Sequence, residues 1–206
     1  MIENIKNELS NRKIIIIIVL TIFLVGLLFG SLYITIVNND NKKEIVNSVT
    51  GYINSFQNIK MGDRFQIFRN SLGKNSFFFF ILWALGLSII GIPIILIMIF
   101  FKAFTIGFSI GSIFGAYKFK GLLYILIYLL ERPIITSIMT IILGIYSINI
   151  SIRLVYNIFT KKTLNFSSFM GRYLFIIMIF FLILVLLSLF DSFISPILYK
   201  LIKNMI

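Results

Sequence analysis

The sequence contains neither cysteine nor histidine. The first absence removes disulfides, thiolate nucleophiles and cysteine metal sites. The second removes the usual general base, the commonest metal ligand and every serine–histidine arrangement. Acidic residues are scarce, 7 Asp plus Glu among 206 residues. An aspartyl intramembrane protease needs two aspartates at membrane depth, and only Asp191 comes near such a position, so the chain holds no carboxylate dyad of its own. No serine and lysine are brought together within an apolar run. These gaps exclude a hydrolase or metalloenzyme, and no cofactor or metal is expected.

What replaces this chemistry is apolar length. Hydrophobic residues make up 59% of the chain and charged residues 13%, against roughly 45–50% and about 25% in soluble domains. The excess lies in long blocks, and a block of about 18 or more apolar residues marks a helix that crosses a hydrocarbon core of about 30 Å. The net charge of +12 sits between and beside these blocks, where it reads as topology and lipid-headgroup contact. No basic and aromatic surface stands apart from them, so nucleic acid is not an expected partner and the lipid bilayer is.

The expected fold is all-α, a polytopic integral membrane protein with about five transmembrane helices in one membrane domain over residues 1–206. The spans are placed at about 14–37, 77–101, 103–117, 121–152 and 173–195, with an external segment 38–76 and a cytoplasmic basic loop 153–172. The first run, Ile14 to Val37, has 24 residues without a charge. It exceeds the 7–15 residues of a signal-peptide core, so it reads as a retained span. In the second block Gly91 and Pro93 predict a bend, because proline lacks a backbone donor and clashes with the preceding turn. Lys102 then reads as a boundary charge that snorkels to water.

Gly107, Gly111 and Gly115 recur every fourth residue and share a helical face on which another backbone can approach closely. That face suits helix packing within the chain or self-association as a homodimer. With 15 residues, 103–117 is either a short span or a re-entrant piece. The fourth block is broken at Glu131-Arg132-Pro133. A charge at the bilayer centre costs about 2.5–3.5 kcal/mol on insertion scales, so Glu131 and Arg132 have three settings: water near an interface, a partner on a neighbouring helix, or an ion path. Asp191, at the end of the final span, reads as a solvated boundary residue, and Pro196 makes Ser195 prefer an extended backbone, which supports a break there. Trp83 reads as a boundary anchor or a packing residue. In 38–76, Val46, Tyr52, Ile53, Phe56, Phe65, Ile67 and Phe68 recur at spacings that fit short amphipathic helices, or line one connecting loop on the lipid surface.

Several strings resemble the stage II sporulation protein M family. The clearest is Leu82-Trp83-Ala84-Leu85-Gly86-Leu87-Ser88-Ile89-Ile90-Gly91-Ile92-Pro93, continued by Phe101-Lys102-Ala103-Phe104 and Gly107-Phe108. The ending Phe190-Asp191-Ser192-Phe193-Ile194-Ser195-Pro196 is also similar, and that likeness implies a defined terminal structure over Asp191 to Pro196, a turn that folds the tail back on the membrane, as the alternative setting for Asp191. Glu131-Arg132-Pro133 stands where relatives often carry a Leu-Pro turn. The resemblance implies five spans, a cytoplasmic N-terminus and an external C-terminus. It also implies a scaffold in the mother-cell membrane during forespore engulfment, holding the stage II sporulation proteins D and P in a peptidoglycan-degrading complex at the septum. On that reading Phe56, Phe65 and Phe68 are the candidate partner-binding residues. A transporter or permease-like subunit, built around the broken fourth block and the glycine face, is the alternative. Lys and Arg counts do not favour the implied orientation, although 153–172 carries the right charge for the cytoplasm.

Overall fold

The computed structural model describes residues 2–57, 63–88, 90–160 and 166–197. Among these, seven α-helices follow in order: α1 (Ile2–Ile36), α2 (Asn39–Gln57), α3 (Arg64–Gly86), α4 (Gly91–Tyr117), α5 (Gly121–Glu131), α6 (Pro133–Thr160) and α7 (Phe166–Phe193), with a 3-10 turn at Lys118–Lys120. Four stretches are long and apolar enough to cross a membrane: Lys13–Ile36, Gly91–Tyr117, Pro133–Asn157 and Tyr173–Ile197. The all-helical, polytopic expectation is met.

The three prolines explain where helices start and stop. Pro93 is the third residue of α4 and Pro133 the first of α6, positions whose amides have no intrahelical acceptor to lose. Pro196 lies just past α7 in a closing turn, where the Ile194 amide donates to Phe190 O and the Ile197 amide to Ile194 O. Pro93 therefore does not bend a helix. The break comes before it, where the amides of Leu87 and Ser88 donate to Ala84 O and Leu85 O, each at 3.0 Å, and close α3 with a tight turn. Gly91 is required there, since a Cβ would strike Leu85 O.

The span boundaries are redrawn accordingly. Residues 77–101 do not form one helix, and Lys102 is no boundary: α4 runs through it from Gly91 to Tyr117, so 103–117 is the second half of a span and not a separate or re-entrant piece. Block 121–152 divides into α5 and α6 at Arg132. Residues 153–160 extend α6 and 166–172 open α7, so 161–165 alone is left of the basic loop outside the described helices. Segment 38–76 is not one external loop either, because it holds α2 and the first half of α3.

The tightest seam joins α1 to α4. A Cβ on Gly26 would lie 2.6 Å from Phe100 O, and one on Gly30 would strike Phe104 O and the Phe108 amide. From the other side, a Cβ on Gly107 would strike Leu27 O, and one on Gly111 would lie 2.5 Å from Ser31 O. Residue numbers rise together along both helices, so the two run parallel. Backbone meets backbone, as small residues allow in lipid, where apolar surface gains nothing by leaving the solvent and packing must supply the attraction. Gly107 and Gly111 are thus occupied inside the chain and do not offer their face to a second copy. Gly115 only touches Ile34, 3.6 Å away.

A parallel pair obliges the chain to return between its members. α3 makes that return, antiparallel to α4, with Phe78 reaching Lys102. The α3–α4 turn is held by α6 and α7. Tyr173 Oη donates to Trp83 O at 2.6 Å and is 2.8 Å from Ser147 Oγ, while Ser151 Oγ donates to Ser88 O at 2.7 Å. Gly86 leaves room for Tyr173 and Ser147. Between the two ends Val19, Leu82, Ile95, Ile99 and Leu143 are fully buried.

The seam makes a position-specific prediction. Gly107→Val forces two backbones apart and lowers the thermal unfolding midpoint in detergent by the equivalent of about 1–3 kcal/mol or more. Gly115→Ala, with only ordinary contact to accommodate, leaves it unchanged within error.

Candidate functional site

Charge is buried at the end of the bundle opposite the α3–α4 turn. α5 stops at Glu131 and α6 starts at Pro133, which leaves Arg132 at the junction. Its carbonyl accepts from the Thr136 amide at 3.0 Å and from Thr136 Oγ1 at 3.1 Å. The break thereby aims a guanidinium at α3 and α7. On α7, Ser188, Asp191 and Ser192 fall on one stripe by their three- and four-residue spacing, Ser195 follows in the closing turn, and all four are buried. On α3, Ser71 and Asn75 do the same, with Asn75 Nδ2 donating to Ser71 O at 2.9 Å.

These stripes converge on an ion pair between Arg132 and Asp191. Arg132 Nη2 also donates to Ser71 Oγ at 2.6 Å, and that hydroxyl donates to Asp191 Oδ2 at 2.9 Å and lies 3.1 Å from Ser188 Oγ. One serine is therefore shared by a cation and an anion, and three helices are tied at a point. Asp191 is 2% exposed against 26% for the Arg132 side chain, so the pair is open only on the arginine side. Asp191 Oδ1 and Ser195 Oγ have no hydrogen-bond partner among the described residues. Lys102 of α4 places its Nζ 5.2 Å from the centre of the Phe78 ring.

The structure thus brings Arg132 and Asp191 together, and Asp191 is not the solvated boundary residue that its place near a helix end suggests. The side chains of Glu131 and Phe56 lie outside the described residues. Phe65 and Phe68 sit in the first turns of α3 with ring centres 6.4 Å apart; Phe65 is 72% exposed and Phe68 half-buried. Sequence reasoning passed over Ser71, Asn75 and Ser188. The signal was present in Ser188-x-x-Asp191-Ser192-x-x-Ser195, a polar stripe inside an otherwise apolar helix.

The Asp191 carboxylate is paired with a guanidinium and accepts from a hydroxyl. Among the described side chains no second carboxylate lies beside it, and the sequence has no imidazole to exchange a proton with it. Among the described residues no group of three metal-ligating side chains occurs. The arrangement works as a fastener. Removing one member of such a pair leaves an uncompensated buried charge, at about 3–5 kcal/mol, whereas replacing both with apolar groups is often neutral. Arg132→Met and Asp191→Leu should therefore each lower the detergent unfolding midpoint, and the double variant should recover most of the loss. Additive losses in the double variant would show that the residues act separately.

The family model described as stage II sporulation protein M matches residues 19–196. No curated protein and no solved structure matches the chain. The matched stretch takes in α2 to α7 and the whole of the α1–α4 seam, together with Arg132, Asp191 and the strings 82–93 and 190–196. Members of this family are generally non-catalytic membrane proteins, and membership carries a role in sporulation. On a match over this much of its length, the chain belongs to the stage II sporulation protein M family.

Proposed function

We propose that this protein is a non-enzymatic membrane scaffold in forespore engulfment, recruiting peptidoglycan-degrading partners, the stage II sporulation proteins D and P, to the septal membrane. The observation that carries the reading is that the polar part of 38–76 is a prepared surface. α2 has an apolar edge on which Val49 packs against the cluster of Ile113, Tyr124 and Ile127. That contact pins α2 to the outer ends of α4 and α5 and leaves Asn41, Glu44, Asn47 and Ser48 exposed. Phe65 then presents an aromatic ring at the start of α3. A surface already ordered loses less entropy when a partner binds.

In this reading the N-terminus is cytoplasmic and α3 is a short return pass between α1 and α4. The chain then crosses five times, and α2 and the Arg132–Asp191 end lie on the external side, where the wall is. The native chain lacks cysteine, so single cysteines report sidedness directly. Gly51 and Gly171 are both exposed with open space around them. A cysteine at 51 should react with an impermeant maleimide in intact cells, and one at 171 only after permeabilisation. The reverse pattern overturns the orientation.

Recruitment has its own test. Phe65→Ser with Phe68→Ser should disperse fluorescent fusions of the two partners from the septum while the protein itself remains in the membrane fraction at its usual level. Unchanged partner localisation, both in that variant and after deletion of residues 197–206, rejects the scaffold reading.

A further inference from the structure

An apolar groove of about 350 Å³ runs along the seam of α3 and α7, with Ser76, Phe77 and Phe80 on one wall, Ile177 and Phe181 on the other and Leu184 at its floor. Phe77, Phe80 and Phe181 are 67%, 57% and 51% exposed. The groove opens on the outer surface of the bundle, and on the five-crossing reading proposed above that surface is turned to hydrocarbon. Its only polar group, Ser76 Oγ, has no hydrogen-bond partner.

The wall continues upward in a way that selects the occupant. Arg69, Gly73, Ser76 and Phe80 are spaced by four, three and four residues and so share one face of α3. Arg69 is exposed, and among the described residues it has no carboxylate partner. A Cβ on Gly73 would meet nothing within 4 Å, so the path from the guanidinium to the groove carries no side chain. From Arg69 to Phe80 is 11 residues, or about 16 Å of helix. That length matches one leaflet's share, about 15 Å, of the hydrocarbon core.

We propose that the α3–α7 groove holds one acyl chain of an anionic phospholipid whose phosphate is met by Arg69. A cation stands where the headgroup lies, bare backbone follows it, and a slot lined by aromatic and aliphatic side chains receives the chain one leaflet deep. The site is independent of partner recruitment, since it uses neither α2 nor Phe65.

The test is native mass spectrometry of the full-length protein in detergent, exchanged against equimolar phosphatidylglycerol and phosphatidylcholine of identical acyl chains. One phosphatidylglycerol should be retained in preference to phosphatidylcholine. Arg69→Gln should cut that preference about fivefold, the equivalent of one basic contact at a lipid surface. Ser76→Phe and Ile177→Trp, which fill the groove, should remove the retained lipid of either kind. Arg69 is exposed, so its variant keeps the fold, which an unchanged unfolding midpoint verifies. Equal retention of both lipids by the native protein, or a preference that survives Arg69→Gln, overturns the proposal. So does a groove-filling variant that keeps its lipid but converts a dimer to a monomer, which would assign the groove to a second copy.

Discussion

The backbone contact of α1 with α4 is the constraint from which the rest of the architecture follows. Two helices can approach this closely only where neither carries a side chain, and Gly26, Gly30, Gly107 and Gly111 supply those gaps in matching register. Because the register is parallel, the intervening chain has to travel back through the bundle. α3 is that return, and the tight turn that closes it at Leu87 and Ser88 places α4 for its ascent. α6 and α7 then pack where α3 and α4 leave apolar surface. They secure the turn through Tyr173, Ser147 and Ser151.

Polar groups divide into two layers with different tasks. At the turn, the Trp83 carbonyl lies past the last full helical bond of α3, because the Leu87 amide bonds to Ala84 O instead. A tyrosine hydroxyl from α7 satisfies it. At the other end stands an ion pair, and α3, α7 and the α5–α6 junction each contribute a member to one network. In a medium that solvates ions poorly, a shared serine between guanidinium and carboxylate gives strong geometric selectivity, since a shift of any one helix leaves a charge without its partner.

The sequence makes the apolar blocks, the glycine periodicity and the missing catalytic inventory plain, and the fold class follows from them. What it does not show is where each block ends. Lys102 resembles a boundary because a charge usually marks one, yet α4 passes through it with the ammonium group over the Phe78 ring. Gly91 and Pro93 resemble a kink, yet they begin a helix, since one spacing serves both uses and only the preceding turn distinguishes them. The face of Gly107 and Gly111 is legible as a packing face, but its partner is not. The matching Gly26 and Gly30 lie some 80 residues earlier, and four-residue glycine spacing carries no address. Arg132 and Asp191 stand out as costly residues, while their union depends on Ser71, an ordinary serine in a mostly polar stretch.

The same seam sets an order for biogenesis. α1 leaves the insertion machinery long before α4 is made, so it resides in lipid as a solitary helix with its glycine notch unfilled. Its surface suits that wait, since Ile14 to Val37 carries no charge on any side. Arg132 waits as well, because Asp191 is made 59 residues later. The bundle therefore closes in two strokes, first when the fourth helix finds the first and then when the seventh delivers the counter-ion.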